Sequence, residues 1–184
     1  YCGYIDSNTL RAGYPESKRC GEALCQAYKK QENLDVVIPR FTRTYGPTML
    51  KTYTKAISQF IKKAVDGENI VLKSAGTQYY SYTYVADAVT GFLTVLLKGE
   101  SGEAYNIADE ASDIMLKDLA KIIADFAGKE VVFELPDETE KSGYSKATKA
   151  RLDGSKLKKL GWKARYDIKQ GLERTMKMLI EING

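Results

Sequence analysis

Two patterns of apolar residues alternate along the chain: helical spacing and short continuous runs. Segments with apolar positions three and four residues apart predict helices at residues 14–31, 53–65, 88–97, 116–127, 156–160 and 167–182. Short runs rich in β-branched and aromatic residues predict strands at 36–38, 70–72, 79–85, 104–107 and 131–133. Strands that alternate with helices in this way are typical of an α/β fold.

Polar and turn-forming residues predict where several of these elements begin and end. Asp87 and Ser155 are each expected to cap the helix that follows, and Gly128 to end the helix before it. Residues 40–47 follow a short strand and are expected to form a ligand-contacting loop, because open α/β sheets bind ligands at the carboxyl ends of their strands. The polar residues 137–149 predict a mobile or ligand-ordered loop.

The composition is that of an ordinary globular protein, with 43% apolar and 28% charged residues over 184 positions. The net charge of +4 is mild and no basic run resembles a nucleic-acid footprint, so no nucleic-acid partner is expected. No apolar stretch approaches the ~18 residues of a membrane helix, so no membrane partner is expected. Three cysteines without a CxxC pair indicate reduced thiols and a cytoplasmic location.

The sequence contains no histidine, and this limits the catalytic mechanisms and metal sites that it can form. Ser–His and Cys–His catalysis and His-containing metal sites are excluded within these residues, and no metal site is expected. Tyr14 and Lys18 stand four residues apart in the first predicted helix, so both side chains leave the same face. A phenol titrates near pH ~10 and a nearby ammonium favours its ionised form, so the pair suits proton transfer. The same spacing also fits two ordinary surface residues.

Several short sequence blocks, taken together, resemble one enzyme family. Residues 14–22 resemble the YxxSKxxxE helix of the extended short-chain dehydrogenase/reductases, which are NAD(P)-dependent nucleotide-sugar epimerases and dehydratases. The remaining blocks follow in that family's order: residues 40–47 are similar to RxxNxYGP, 84–87 to YVxD, 102–107 to GxxYNI, 160–162 to LGW and 171–172 to GL. The blocks span nearly the whole chain, which argues against coincidence.

The resemblance implies an α/β fold made of the C-terminal part of a Rossmann-like doubly wound fold plus the small α/β substrate-binding domain. Residues 1–46 are expected to belong to the dinucleotide-binding domain. Residues 47–184 are expected to be mainly substrate-binding domain, with 84–108 returning to the Rossmann sheet. The family's glycine-rich phosphate-binding turn does not occur in the sequence. The chain is therefore expected to be a C-terminal piece of a longer enzyme and inactive by itself.

The resemblance also implies roles for individual residues. Tyr14 is expected to act as the base on a sugar hydroxyl while NAD(P)⁺ takes hydride from the same carbon, and Lys18 as its electrostatic partner that also holds the coenzyme ribose. Tyr14, Lys18 and Phe41 are the expected contacts of NAD or NADP. Arg43, Tyr80 and Lys141 are expected to contact a nucleotide-sugar substrate, and the family implies a homodimer.

The chain departs from the family pattern where a substrate diphosphate is expected to bind. Arg43 stands where the family commonly has Asn, and Tyr80 stands where it often has Arg. The loop 137–149 contains lysines but none of the arginines usual in the family. Arg43 is interpreted either as the diphosphate clamp or as a structural ion-pair partner. A keto-sugar reductase and a non-catalytic sugar-nucleotide-binding module remain the alternative functions.

Overall fold

The computed structural model describes residues 6–9, 12–50, 52–134 and 148–183. The helices are α1 (Gly13–Glu32), α2 (Ala56–Val65), α3 (Val85–Lys98), α4 (Leu116–Ala127), α5 (Ser155–Lys159) and α6 (Ile168–Asn183). The strands are β1 (Ile38–Phe41), β2 (Arg43–Tyr45), β3 (Ile70–Leu72), β4 (Tyr79–Tyr84), β5 (Ala104–Ile107), β6 (Asp113–Met115), β7 (Val131–Phe133) and β8 (Lys149–Ala150). The predicted helices and strands are confirmed with modest shifts at their ends, whereas β6 and β8 were not predicted.

The described strands form three sheets. In the first sheet β1 pairs in parallel with β5, so that Phe41 lies opposite Ile107. In the second sheet β4 pairs in parallel with β2 and β8 and antiparallel with β6. In the third, β3 and β7 pair in parallel. Only Thr42 separates β1 from β2, so the chain passes from the first sheet to the second at this residue.

The main hydrophobic core lies between the second and third sheets and helices α2, α4 and α6. Helix α4 shows how the sequence builds this core. Its residues Leu119 and Ile123 are one turn apart and fully buried, as the apolar spacing predicts. Gly128 then ends the helix with a left-handed φ of 63°, a conformation that glycine adopts without a steric penalty. A smaller core beneath α3 contains the buried Trp162, whose Nε1 donates to Thr90 Oγ1.

The prediction that residues 40–47 form a loop is wrong for most of this segment. Arg40 and Phe41 continue β1 and pair with β5, and Arg43–Tyr45 form β2 and pair with β4. Paired strands satisfy the backbone N–H and C=O groups of these residues, whatever the polarity of their side chains. The strand after α1 accordingly begins and ends later than the predicted 36–38.

The two predicted helix caps are also wrong. Asp87 lies inside the first turn of α3, and its buried carboxylate accepts hydrogen bonds from the backbone N–H groups of Arg165 and Tyr166 at 2.9 and 3.0 Å. Ser155 is the first residue of α5, and its own N–H and hydroxyl donate to the carboxylate of Asp153. Each acidic side chain satisfies donors that the sequence pattern did not connect with it. The predicted loop 137–149 lies almost wholly outside the described residues.

Helices α1 and α3 are among the described elements that present apolar side chains to solvent. Helix α1 contains no buried residue, and its Leu24 and Tyr28 are half-exposed. Helix α3 buries one face against the first sheet and exposes apolar residues on the other: Val89, Phe92, Leu93, Leu96 and Leu97. In the part of the chain that the structure describes, no helix has the length and apolarity to span a bilayer.

Candidate active site

Helix α1 brings the predicted catalytic pair together. The Nζ of Lys18 lies 5.5 Å from the centroid of the Tyr14 ring, within the range of a cation–π contact. The Tyr14 side chain is 74% exposed, so its phenol is accessible from solvent. Ser17 donates a hydrogen bond from its hydroxyl to the Tyr14 carbonyl oxygen at 2.7 Å, so this side chain bonds within the first turn of the helix. The pair is therefore accessible to a bound molecule.

A charged pair joins α1 to the first sheet. The guanidinium of Arg40 on β1 donates to both carboxylate oxygens of Glu22, with Nε 2.7 Å from Oε1. This hydrogen bonding lowers the pKa of Glu22 and raises that of Arg40. Glu22 and Arg40 are the last residue of one sequence motif and the first residue of the next. Sequence reasoning gave neither a role, and the structure shows that each orients the element of the other.

Two of the predicted contacts, Phe41 for the coenzyme and Arg43 for the substrate, lie on either side of the crossing between sheets. Phe41 ends β1 and Arg43 begins β2, with Thr42 between them. The Phe41 ring is 48% exposed and stacks on Phe92 of α3, with 6.4 Å between the ring centroids. The carboxyl end of a parallel strand next to such a crossing is where open α/β sheets place bound ligands.

Arg43 and Tyr80 are in direct contact. The Cζ atom of Arg43 lies 3.6 Å from the centroid of the Tyr80 ring, on the neighbouring strand β4. Tyr80 is buried and Arg43 is exposed. Burial raises the pKa of the adjacent Tyr82 to about 12, and the positive charge of Arg43 acts in the opposite direction. Arg43 and Tyr80, the two residues that depart from the family pattern, are therefore stacked on each other.

The predicted site residues form two groups in the structure. Tyr14 and Lys18 are in contact on α1, and Arg43 and Tyr80 are in contact on the second sheet. Among the described residues, no hydrogen bond, ion pair or ring contact joins the pair on α1 to Phe41 or Arg43. Lys141 lies outside the described residues.

Sequence reasoning missed a further arginine beside this region. Arg151, just after β8, lies 5.1 Å above the Tyr79 ring and 3.7 Å from the nearly buried Asp113 carboxylate. Ser81 donates to the same carboxylate at 2.6 Å. The available signal was its place in the sequence, two residues after the polar loop 137–149 in which the family usually has an arginine.

The NAD dependent epimerase/dehydratase family model matches residues 5–108 of the chain. The chain belongs to this family. The family predicted from the sequence blocks is therefore confirmed, and four of those blocks fall within the matched range.

Curated relatives and solved structures agree with this family. UDP-glucuronic acid decarboxylase 1 of Xenopus tropicalis is 29% identical over 96% of this chain, which corresponds to 41% of the relative. UDP-glucose 4-epimerase of Thermotoga maritima superposes with a TM-score of 0.82 at 23% identity, over 93% of this chain and 54% of that one. A dTDP-glucose 4,6-dehydratase of Streptomyces venezuelae with NAD bound superposes with a TM-score of 0.77 at 26% identity, over 98% of this chain and 57% of that one.

These likenesses confirm the predicted α/β fold, which is part of a Rossmann-type epimerase or dehydratase. The chain spans about two fifths to just over half the length of these three proteins.

Proposed function

We propose that this family member carries the catalytic tyrosine–lysine pair and part of the substrate site of an NAD(P)-dependent nucleotide-sugar enzyme. The observation that carries the proposal is the contact between Lys18 and the exposed ring of Tyr14 on α1. An ammonium next to an accessible phenol is the arrangement that proton transfer with a sugar hydroxyl requires.

Lys18 and Phe41 each have chemistry that fits part of a nicotinamide coenzyme. The exposed ammonium of Lys18 supplies donors for ribose hydroxyls, and the half-exposed ring of Phe41 supplies a flat apolar surface at the carboxyl end of β1. When bound, NAD(P)⁺ would accept a hydride from the sugar carbon. We propose Tyr14, Lys18 and Phe41 as the residues of this chain that contact it.

The proposed chemistry of the chain is a proton transfer at one oxygen atom. The Tyr14 oxygen takes the proton of a sugar hydroxyl while the carbon that bears this hydroxyl becomes a ketone. The positive charge of Lys18 stabilises negative charge on the Tyr14 oxygen before the transfer. In an epimerase, where the ketone is reduced again by return of the hydride, the proton held on Tyr14 returns to the sugar oxygen.

The fate of the keto-sugar separates the possible activities. We propose an epimerase or dehydratase, with a keto-sugar reductase as the alternative within the family. Relatives named UDP-glucuronic acid decarboxylase add loss of carbon dioxide from a keto-sugar acid as a further fate.

The nucleotide-sugar is proposed to contact Arg43, Tyr80 and Lys141. We also propose that the protein forms a homodimer and works in a reducing, cytoplasm-like compartment. The free thiols of Cys20 and Cys25 are compatible with that compartment.

The test of this proposal uses the full-length gene product, a panel of UDP-, dTDP-, CDP- and GDP-sugars, and both NAD⁺ and NADP⁺. The variant Tyr14→Phe removes the oxygen that carries the proton, so turnover should fall by about 10²–10⁴-fold. Coenzyme affinity, measured by titration, should stay within about twofold of the parent. Tyr28→Phe, which removes the hydroxyl of another exposed tyrosine on α1, is the matched control and should leave both quantities unchanged.

Two results would contradict the proposal. Undiminished turnover in Tyr14→Phe would show that the Tyr14 hydroxyl does not transfer the proton. A gene product that binds nucleotide-sugars but neither coenzyme would favour the non-catalytic binding module, which the tyrosine at position 80 supports. We propose in addition that the 184 residues alone show no turnover, and the same assay on the isolated chain tests this.

A further inference from the structure

The contact between Arg43 and Tyr80 differs from the other charged contacts near the site. At 3.6 Å from the ring centroid, the guanidinium carbon is in van der Waals contact with the face of the Tyr80 ring. Tyr80 is only 8% exposed, so this ring is part of the core. Arg43 is exposed and sits at the start of β2, at the border between core and solvent.

The charge of Arg43 is not neutralised by any carboxylate among the described residues. The neighbouring arginines are different in this respect. Arg40 makes a bidentate ion pair with Glu22, and Arg151 lies beside the carboxylate of Asp113. Arg43 stacks on the Tyr80 ring, and its charge opposes the rise that burial causes in the pKa of Tyr82, but neither of these tyrosines is a carboxylate. An accessible guanidinium with no described acidic partner is suited to an anionic ligand.

The Tyr80 ring is held in place by the sheet. Its backbone lies in β4, opposite Ile114 of β6 and Ala150 of β8. Arg43 extends from the adjacent strand β2, where it lies opposite Tyr82. A long arginine side chain loses rotational freedom when it binds an anion, and a fixed ring that already restrains the guanidinium lowers this entropic cost.

We propose that Tyr80 is a positioning residue that holds Arg43 as the clamp for the diphosphate of a nucleoside diphosphate. This inference rests on the proposed function and specifies how its substrate is held. The face of the guanidinium that contacts Tyr80 is covered, whereas its N–H donors lie around the edge of the plane. Two such donors match two oxygens of a phosphate group, which lysine cannot reproduce. The two departures from the family pattern therefore compensate for each other: position 43 supplies the guanidinium, and position 80 supplies its support.

The experiment measures the affinity of the full-length gene product for UDP, GDP, CDP and dTDP by calorimetry, without coenzyme, and continues with the tightest binder. Arg43→Ala should weaken this diphosphate by about 10–100-fold, because it removes charged hydrogen bonds. Tyr80→Leu should weaken it by about tenfold, and Tyr80→Phe, which keeps the ring, should retain affinity within about twofold. In the double variant Arg43→Ala/Tyr80→Leu, affinity should be no lower than in Arg43→Ala, because Tyr80 acts through Arg43.

Further variants separate positioning from general effects on folding. Arg43→Lys keeps the charge on an exposed side chain but loses the flat stack and the paired donors, so it should lose about tenfold in affinity even if Tyr80→Leu does not fold. Arg174→Ala is the matched control, because it removes another exposed arginine that lies over a tyrosine, 5.8 Å from the Tyr166 ring on α6. It should leave the affinity unchanged.

The inference is overturned if none of the four diphosphates binds, or if Arg43→Ala or Arg43→Lys binds as tightly as the parent. It is also overturned if Tyr80→Leu weakens binding equally with and without Arg43, because Tyr80 would then act independently. Failure of the proposed function is a separate result, since it appears as undiminished turnover in Tyr14→Phe and involves no measurement of diphosphate affinity.

Discussion

Single residues of the sequence motifs hold elements together at close range. Gly171 on α6 packs against β2 and β4 so closely that a Cβ atom there would lie 2.2 Å from the Tyr45 hydroxyl oxygen and 3.2 Å from Tyr84 Cβ. The Tyr45 hydroxyl donates to the Ile168 carbonyl at 3.3 Å, and burial raises the pKa of this phenol well above its ordinary value. Close packing thus explains the glycine of the GL block.

Replacement of Gly171 by alanine should destabilise the protein by ~1–3 kcal/mol, because the added methyl group forces Tyr45 and the backbone of α6 apart. Urea unfolding followed by circular dichroism measures the change. Gly21→Ala is the matched control: it lies inside α1 with no side chain or neighbouring element within 4 Å, and it should stabilise by ~0.5–1 kcal/mol. Equal stabilities of the two variants would contradict the packing argument.

Among the elements, α1 is attached to the fold by polar contacts rather than by a buried face. Besides the Glu22–Arg40 pair, Gln26 Nε2 donates to the Gly102 carbonyl at 2.6 Å and Lys29 Nζ donates to the Ser101 carbonyl at 2.7 Å. The helix that carries the proposed catalytic pair therefore depends on hydrogen bonds that solvent reaches. Its orientation should respond to charge and pH more than that of α4, which is anchored by buried apolar residues.

The pH dependence of α1 follows from Glu22. Its pKa is lowered from 4.5, chiefly by the hydrogen bond from Arg40, so its contribution is complete above that value and is lost as pH falls below it. Because the pair is partly exposed, this contribution should be below ~1 kcal/mol. Hydrogen exchange should show α1 amides losing protection below pH ~4 while α4 amides keep theirs.

Glu22→Gln tests the same interaction at neutral pH. The variant should show the weaker protection of α1 at pH 7 and little further loss on acidification. Lys121→Gln, which removes an exposed i,i+4 ion pair with Asp125 on α4, is the control. Protection of α1 that is the same in Glu22→Gln and the parent would show that the pair does not hold the helix.

At the scale of the whole molecule, α3 carries the largest group of exposed apolar side chains among the described helices. The outward residues of α3 are largely exposed, up to 78% for Leu97, and the first sheet has only two described strands. A contiguous apolar patch beside an incomplete sheet is typical of an interaction surface. This surface is distinct from the main core, which is closed by α2, α4 and α6.

The isolated chain should therefore self-associate as its concentration rises. Sedimentation velocity should show this association, and the double variant Leu93→Glu/Leu97→Glu should reduce it, because two charges cannot be buried without partners. Ile180→Glu changes a comparably exposed apolar residue on α6 and should leave the association unchanged. A chain that stays monomeric at every concentration would contradict this prediction.

The sequence predicted most elements of the fold and, within the candidate site, the contact between Tyr14 and Lys18. Helix α4 and strand β3 occupy the predicted residues because their apolar spacing is regular and their ends carry clear signals. Tyr14 and Lys18 were found because a helical spacing of four residues implies contact. Strand β6 was missed because Asp113–Met115 is short and lacks a β-branched run, and its structure depends on pairing with β4.

By itself, the sequence determined the order of the helices and of five of the eight described strands, the family, and the contact between Tyr14 and Lys18, because these depend on spacings of a few residues. Only the tertiary structure decided that Glu22 pairs with Arg40 and that Asp87 accepts from Tyr166, across 18 and 79 positions of sequence. It alone showed that the Arg43 guanidinium stacks on the Tyr80 ring, so the two positions that differ from the family pattern are in direct contact. No local periodicity encodes such contacts, because they arise when strands pair and helices pack.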